Sequence, residues 1–554
     1  MRLGALVAIA ALGLTPAATA DDEASRRAIG YICSAEQGRP AVGGERRLVE
    51  VPGVGTGGFA IRTTKPEAQT WFDYGLKLAH AFYHDDAKAA FRRARAIDPK
   101  CAMCAWGEAW AAGPTLNFDI EAGDVANAAA LAGKASTLGA GESPKNRALI
   151  AALRLRLDRK DPAAADLAFA RAMDAVARRY PPDDEVAVLT SDAWLIPWAQ
   201  HQDKRGVARA VAVLEPVLKR SPDDTGAIHF YIHATEAAGE AARALPYAER
   251  LGALAPAASH LVHMASHTFF RVGRYEDAAV ANAQAIAADG AYLRAAHDGQ
   301  PQGKVAYHGH DLRFGLGGAL AAGDTPLALR LAEHAGFAYP GALADDGPGQ
   351  IVVAHAFIAY GRFAPDRALA LPAAGKDAAF AEAMRHYARG EAFASKGDVA
   401  GLATEVAWLA GADTALTSTP DFYREAGRAV IEIAQLTLKG RLAMLQGDPA
   451  AAVKAYRLAA DLQDDKLSGF GDGDPPPWWY PERRSLAAAL LAASQPAQAA
   501  LEARRALKAW PDEPLTLQAL GQAEQAMGDA PAAARDLGRA KAGWRGGALG
   551  LPLI

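Results

Sequence analysis

The chain has 554 residues, 51% of them hydrophobic and 22% charged, with a formal net charge of −4 at pH 7. That length accommodates several globular domains or one extended repeat array. The charge argues against a nucleic-acid partner, which needs a basic footprint, and beyond the N-terminus no run approaches the roughly 18 apolar residues of a membrane-spanning helix.

Met1–Ala20 carries one basic residue, Arg2, then an apolar stretch from Leu3 to Leu14, and closes on Ala18-Thr19-Ala20. This is the layout of a secretory signal peptide with a small-x-small cleavage site. It predicts a mature chain starting at Asp21 and a periplasmic or secreted location. Three cysteines, Cys33, Cys101 and Cys104, would then meet an oxidising compartment. The Cys101-x-x-Cys104 spacing suits a metal corner or a redox pair. A structural disulfide or a buried thiol is the more ordinary use of a single such motif, and one cysteine must stay unpaired within the monomer.

The abundance of Ala and Leu, without strand-like alternation, points to helices. After a lead segment, Trp71 and Gly75 are followed by Ala87, Phe91, Ala94 and Pro99. Small residues let two helices approach, Trp and Phe fill the space between them, and Pro ends the second helix. The frame returns with Gly239, Tyr247, Leu251 and Pro256, then with Gly273, Tyr275, Ala278 and Ala285. Less complete units follow at Gly323, Ala328, Ala335 and Pro340, at Gly440, Gly447, Ala452, Tyr456 and Ala459, at Trp510-Pro511, and at Gly521, Gly528, Ala533 and Ala540.

This pattern resembles the tetratricopeptide repeat (TPR) superfamily, here in an exported bacterial-type form. The resemblance implies an all-α, tetratricopeptide-like helical-repeat solenoid of stacked helix-turn-helix units. Its expected organisation is a signal peptide at 1–20, a lead at 21–66, an array holding a histidine cluster at 67–342 and more degenerate repeats at 343–469. A Gly/Pro/Trp-rich linker or flap at 470–480 and C-terminal repeats at 481–554 complete it. Two interruptions, Leu293–Tyr307 and Phe470–Tyr480, exceed the short connections that stacked repeats need.

Eight of the 14 histidines lie between His229 and His310: His229, His233, His260, His263, His267, His297, His308 and His310. His229 and His233 recur as His263 and His267, 34 residues on in both cases, which is the period of the repeat. Two His four apart share a helix face, and a whole-repeat offset places the second pair on the same face of the neighbouring helix. His229, His233 and Glu236 form one stripe; His260, His263 and His267 form the next. In tetratricopeptide arrays the first helices line the concave surface, so the resemblance implies that all six groups face the groove, with His310 and His355 extending the wall.

Packed helices lie about 8–10 Å apart and metal–imidazole bonds are about 2.0–2.1 Å, so side chains from two helices can meet on one ion. The leading ligands are His229, His233, His263 and His267. His260, His310 and Glu236 are second-rank ligands or supporting groups, and six or seven donors leave room for two ions. Copper or zinc fits dense imidazole best, with iron a further candidate. Glu236 is a candidate ligand, tautomer-fixing acceptor or general base. His84-Asp85-Asp86 reads as a cap for the helix that follows it, and Tyr307-His308-Gly309-His310-Asp311 as a segment that closes over the groove.

No serine-hydrolase elbow, phosphate loop or dinucleotide fingerprint occurs in a suitable setting, so no nucleotide cofactor is expected. Three functions remain. One is an exported scaffold that binds a peptide, protein or small molecule in its groove and holds a transition metal. The second is a metal-dependent enzyme, oxidative with copper or iron or hydrolytic with zinc. The third is a metal-free peptide- or protein-binding scaffold.

Overall fold

The computed structural model describes residues 48–547 except 117–119, 121, 298–307, 340, 342, 344–346, 376, 413–414, 418–420 and 468–475. The signal segment, most of the lead, Cys33, Pro340, Tyr307 and the Phe470–Pro475 part of the second interruption lie outside the described residues.

The Trp71–Pro99 spacing folds as its composition predicts. Helix α1 (Pro66–His80) and helix α2 (His84–Ile97) pack antiparallel with Trp71, Gly75, Ala87, Phe91 and Ala94 buried between them. A Cβ on Gly75 would come within 2.8 Å of the Phe91 ring, so the close approach depends on glycine. Such pairs follow one another to α24 (Ala530–Gly543), and among the described residues there are twenty-four α-helices and no strand. Several second helices share a start signal. Asp161, Asp324, Asp448 and Asp529 each accept a hydrogen bond from the backbone N–H three residues on, meeting a donor that the helix end leaves orphaned.

Between the two helices of a pair the chain needs one residue in the left-handed region, normally glycine, as at Gly239 (φ +73°) and Gly273 (φ +82°). In the first pair that position holds Phe82 (φ +59°), a bulky residue where the backbone penalises a side chain. Cys101 and Cys104 form a disulfide at the start of α3 (Ala102–Ala111), both fully buried, which removes them from consideration as metal ligands.

Both ends of the described chain pack back onto the array. Residues 49–58 run across the ends of later helices: Val49 N–H donates to the Ala296 carbonyl at 2.9 Å, Ala257 N–H to the Gly53 carbonyl at 3.0 Å, and Gly58 N–H to Glu185 at 3.1 Å. The C-terminal pairs fold back onto the middle of the array. Tyr275 donates to the Pro511 carbonyl at 2.9 Å, Arg545 N–H to the Ala322 carbonyl at 2.8 Å, and Trp510 packs on Phe270 at 5.5 Å between ring centres. In the second interruption Trp478, Trp479 and Tyr480 are core residues, tied by Trp478 to Glu482 at 2.8 Å and by Trp479 to the Tyr387 hydroxyl at 3.2 Å. No helix among the described residues is long and apolar enough to cross a membrane.

Candidate metal centre

Three successive first helices carry the site: α9 (Thr225–Ala237), α11 (Ser259–Arg271) and α13 (His308–Ala322). Their histidines form two groups, His229 with His233 and His260, and His263 with His267 and His310. Within each group, one donor nitrogen per residue lies within 4.8 Å of the others. Each triad thus takes the i, i+4 pair of one helix and a single imidazole from the next. This regroups the expected set, in which the two pairs led and His260 and His310 were secondary. The reason is angular: at 100° per residue His260 and His263 sit about 60° apart around α11, so the stripe fans toward both neighbouring helices. His260 faces α9 while His263 faces α13. The two triads adjoin, with ring centres 5.6 Å apart both for His260 and His263 and for His233 and His267.

Neighbouring groups fix three tautomers. The His229 Nδ1–H donates to the His80 carbonyl at 2.6 Å. The His263 Nδ1–H donates to Asn282 Oδ1 at 2.6 Å, and Asn282 is itself oriented by its bond to the Ala278 carbonyl. The His267 Nδ1–H donates to Glu236 at 2.8 Å, while the other Glu236 oxygen takes Arg271 at 2.9 Å. Glu236 therefore has both oxygens engaged and holds His267 in place. Backbone carbonyls and carboxylates of this kind are the usual orienting partners of metal-binding imidazoles.

With their Nδ1 protons committed, His263 and His267 turn their Nε2 atoms toward each other, 2.9 Å apart, and each Nε2 presents a lone pair there when it carries no proton. Two lone pairs repel at that distance, so the contact calls for a cation between them, either a shared proton or a metal ion. His229 Nε2 faces His260 Nε2 at 3.2 Å, and the buried His233 Nε2 has no hydrogen-bond partner among the described residues. Two imidazole ligands on a tetrahedral ion are about 3.3 Å apart, which follows from metal–nitrogen bonds of about 2.0–2.1 Å. The donor set thus fits a metal in type, tautomer and spacing.

Five of the rings are between 0% and 6% exposed and His310 is half-buried. Burial, followed for each by neighbouring imidazoles, holds His229, His233, His260 and His263 well below the usual histidine range, which favours the neutral form that a metal would require. Burial opposes ionisation of Glu236, but His267 and Arg271 outweigh it and keep the carboxylate charged. Phe82 covers the first triad, with its ring centre 4.4 Å from His229 and 4.7 Å from His260. Phe314 packs on the second triad, 4.6 Å from His267. Neither aromatic was identified from the sequence, although Phe82 stands where most later units place glycine.

The remaining histidines belong to other arrangements. His355 bonds the Ile351 carbonyl of its own helix, and joins neither triad. His308 bridges Asp289 and His334 at 2.8 Å each and has no third donor group in range among the described residues. His297 approaches Asp86 at 3.4 Å. Asp85 and Asp86 lie in the first turn of α2, where negative charge is favoured, but neither makes the side-chain cap that the sequence suggested, and Asp86 accepts from the Tyr292 hydroxyl at 2.7 Å.

Fold and site together define an all-α helical-repeat solenoid of tetratricopeptide type with a buried six-histidine centre. No protein-family model matches the chain, and no curated protein matches it in sequence. Solved structures with some likeness include the human IFIT1 dimer with m7Gppp-AAAA, at TM-score 0.30 and 12% identity over 76% of this chain and 86% of that one. Yeast Tom70 aligns at TM-score 0.29 and 12% identity, over 85% of this chain and 99% of its own. Cut9–Hcn1 from APC/C aligns at TM-score 0.26 and 10% identity, over 86% and 88%. Likenesses of this degree carry no functional reading.

Proposed function

We propose that this protein is an exported helical-repeat protein that binds two transition-metal ions in its interior, one in each histidine triad. Copper or zinc suits the all-imidazole donor set, with iron third. The observation that carries this reading is the pairing of lone-pair nitrogens in the second triad, His263 Nε2 and His267 Nε2, at 2.9 Å beneath orienting partners that leave them no proton to share unless one is added. The Cys101–Cys104 disulfide supports the exported location that the signal-like N-terminus suggests.

Metal-free protein titrated with Cu(II) or Zn(II), then desalted and analysed by mass spectrometry, is expected to hold two equivalents. His260→Ala and His310→Ala should each remove one, and His233→Ala with His267→Ala should remove both while helical content stays intact. Full stoichiometry in that double variant overturns the assignment, as does metal-free protein that takes up nothing.

A metal-dependent enzyme is the second reading, favoured by the exclusion of water from the triads and by a cavity that reaches Glu236. Dioxygen uptake by the copper-loaded protein supplied with ascorbate as reductant, lost in the double variant, marks an oxidative enzyme, and ester hydrolysis by the zinc-loaded protein marks a hydrolytic one. Neither activity leaves metal binding alone.

A further inference from the structure

The folding-back of the C-terminal pairs creates a cavity of about 860 Å³ that neither the repeat pattern nor the histidine spacing anticipates. One wall is the C-terminal end of α9 and α11, with Glu236 and Arg271; the opposite wall comes from α22 (Pro496–Ala509), with Arg505, Lys508 and the following Trp510. Its volume lies in the range of sites that enclose drug-sized molecules.

The charges of the lining are unequal. Arg271, Arg483, Arg505 and Lys508 face Glu236 and Asp464. Both acids are already satisfied, Glu236 by Arg271 at 2.9 Å and His267 at 2.8 Å, and Asp464 by Arg483. Arg505 has a long contact of 3.4 Å to Glu502, and Lys508 has no ion pair among the described residues. The surplus is therefore positive and resides on α22. Between these charges the wall is apolar, formed by Leu467, Pro476, Pro481 and the edges of Trp478 and Trp510. Cations beside indole edges suit a flat molecule with an anionic group at one end.

We infer that this cavity binds a small aromatic organic anion and presents it to the metal centre, from which one shared residue, Glu236, separates it. The anion is held by Arg505 and Lys508 and its ring lies against Trp510 and the apolar wall of Leu467, Pro476 and Pro481. Delivery to the metal rests on the proposed metal binding, whereas capture of the anion does not.

The test uses full-length, metal-free protein and the fluorescent probe 8-anilinonaphthalene-1-sulfonate, with the uncharged N-phenyl-1-naphthylamine as control. The sulfonate is expected to bind at least about tenfold more tightly than the neutral amine, and Arg505→Gln with Lys508→Gln to remove that preference. Both side chains are exposed, and an unchanged thermal melt confirms folding of the variant. In the wild-type protein bound Cu(II) should quench the probe. Equal affinity for the two probes, or an unaltered preference in the Arg505/Lys508 variant, overturns the inference. Copper that binds with two equivalents yet leaves the fluorescence untouched overturns the delivery step alone, and failure to bind copper at all tells instead against the metal reading.

Discussion

Two regions of this molecule bury polar groups deeply, and they balance them in opposite ways. In the C-terminal half, Arg441 faces Glu391 at 3.3 Å, Arg484 pairs with Glu513 at 2.8 Å, and Glu482 accepts from Thr437 at 2.6 Å and from Trp478 at 2.8 Å. Burial works against the Arg441 charge, yet Glu391 and the surrounding tyrosines outweigh it. Arg441 and Arg484 each have an anion. Around the six histidines imidazoles face imidazoles, and two carboxylates adjoin them: Glu236, which is spent on His267 and Arg271, and buried Asp311, 3.1 Å from His263 Nδ1. Paired buried charges serve folding, whereas facing imidazoles are the arrangement that the proposed metal binding would use.

Acid should separate the two regions most. His84, held near pH 4, and His355, near pH 3, are depressed first by burial, in the same direction as His229, His233, His260 and His263. A depressed histidine binds more protons unfolded than folded, so its stabilising contribution is complete above its ordinary pKa of about 6.5 and is lost as pH falls toward the folded value. Each such group contributes up to about 1.4 kcal/mol per pH unit in that window. Urea unfolding of metal-free protein at pH 7, 6 and 5 is expected to show a steep fall. A flat profile would mean that these rings are not neutral and buried.

Substitution gives the next largest contrast. Arg441→Met strands the Glu391 carboxylate and should cost about 3–5 kcal/mol in denaturant unfolding. His233→Ala in metal-free protein should cost only about 1 kcal/mol, since the cavity it leaves is offset by removal of an unsatisfied buried nitrogen. Similar losses for the two variants would show that the histidine set is structural after all.

The smallest contrast concerns two turns. Gly239 and Gly273 share a left-handed backbone, so alanine at either carries a conformational cost of about 1–2 kcal/mol. A Cβ at Gly239 meets nothing, whereas at Gly273 it overlaps the Pro511 carbonyl. Gly273→Ala should therefore lose more stability than Gly239→Ala and alone should enlarge the radius of gyration in solution scattering, because it loosens the returning C-terminal pairs. Equal scattering curves for the two variants would tell against that contact in solution.

Much of the fold was legible from side-chain spacing. Trp71, Gly75 and Phe91 announce a close helix pair, and the 34-residue echo from His229 and His233 to His263 and His267 announces neighbouring helices with like faces. The partition into triads was not legible, since it depends on the rotation of α11 between two neighbours. Phe82 was half-legible: its position matches a turn that glycine occupies in most other units, but nothing in the sequence says that its ring reaches His229 and His260, 147 and 178 residues further along the chain.

The sequence by itself therefore determined what is local: helices from periodicity, pairs from short connections, and histidine pairs from their spacing of four. Tertiary structure alone decided that the C-terminal pairs return to the array, that six imidazoles, five of them buried, gather as two triads, and that Trp510 meets Phe270 across 240 residues of chain. The physical reason is that a solenoid's curvature accumulates small rotations from each repeat to the next. Each rotation is too slight to read from side-chain types, yet their sum fixes which distant residues meet.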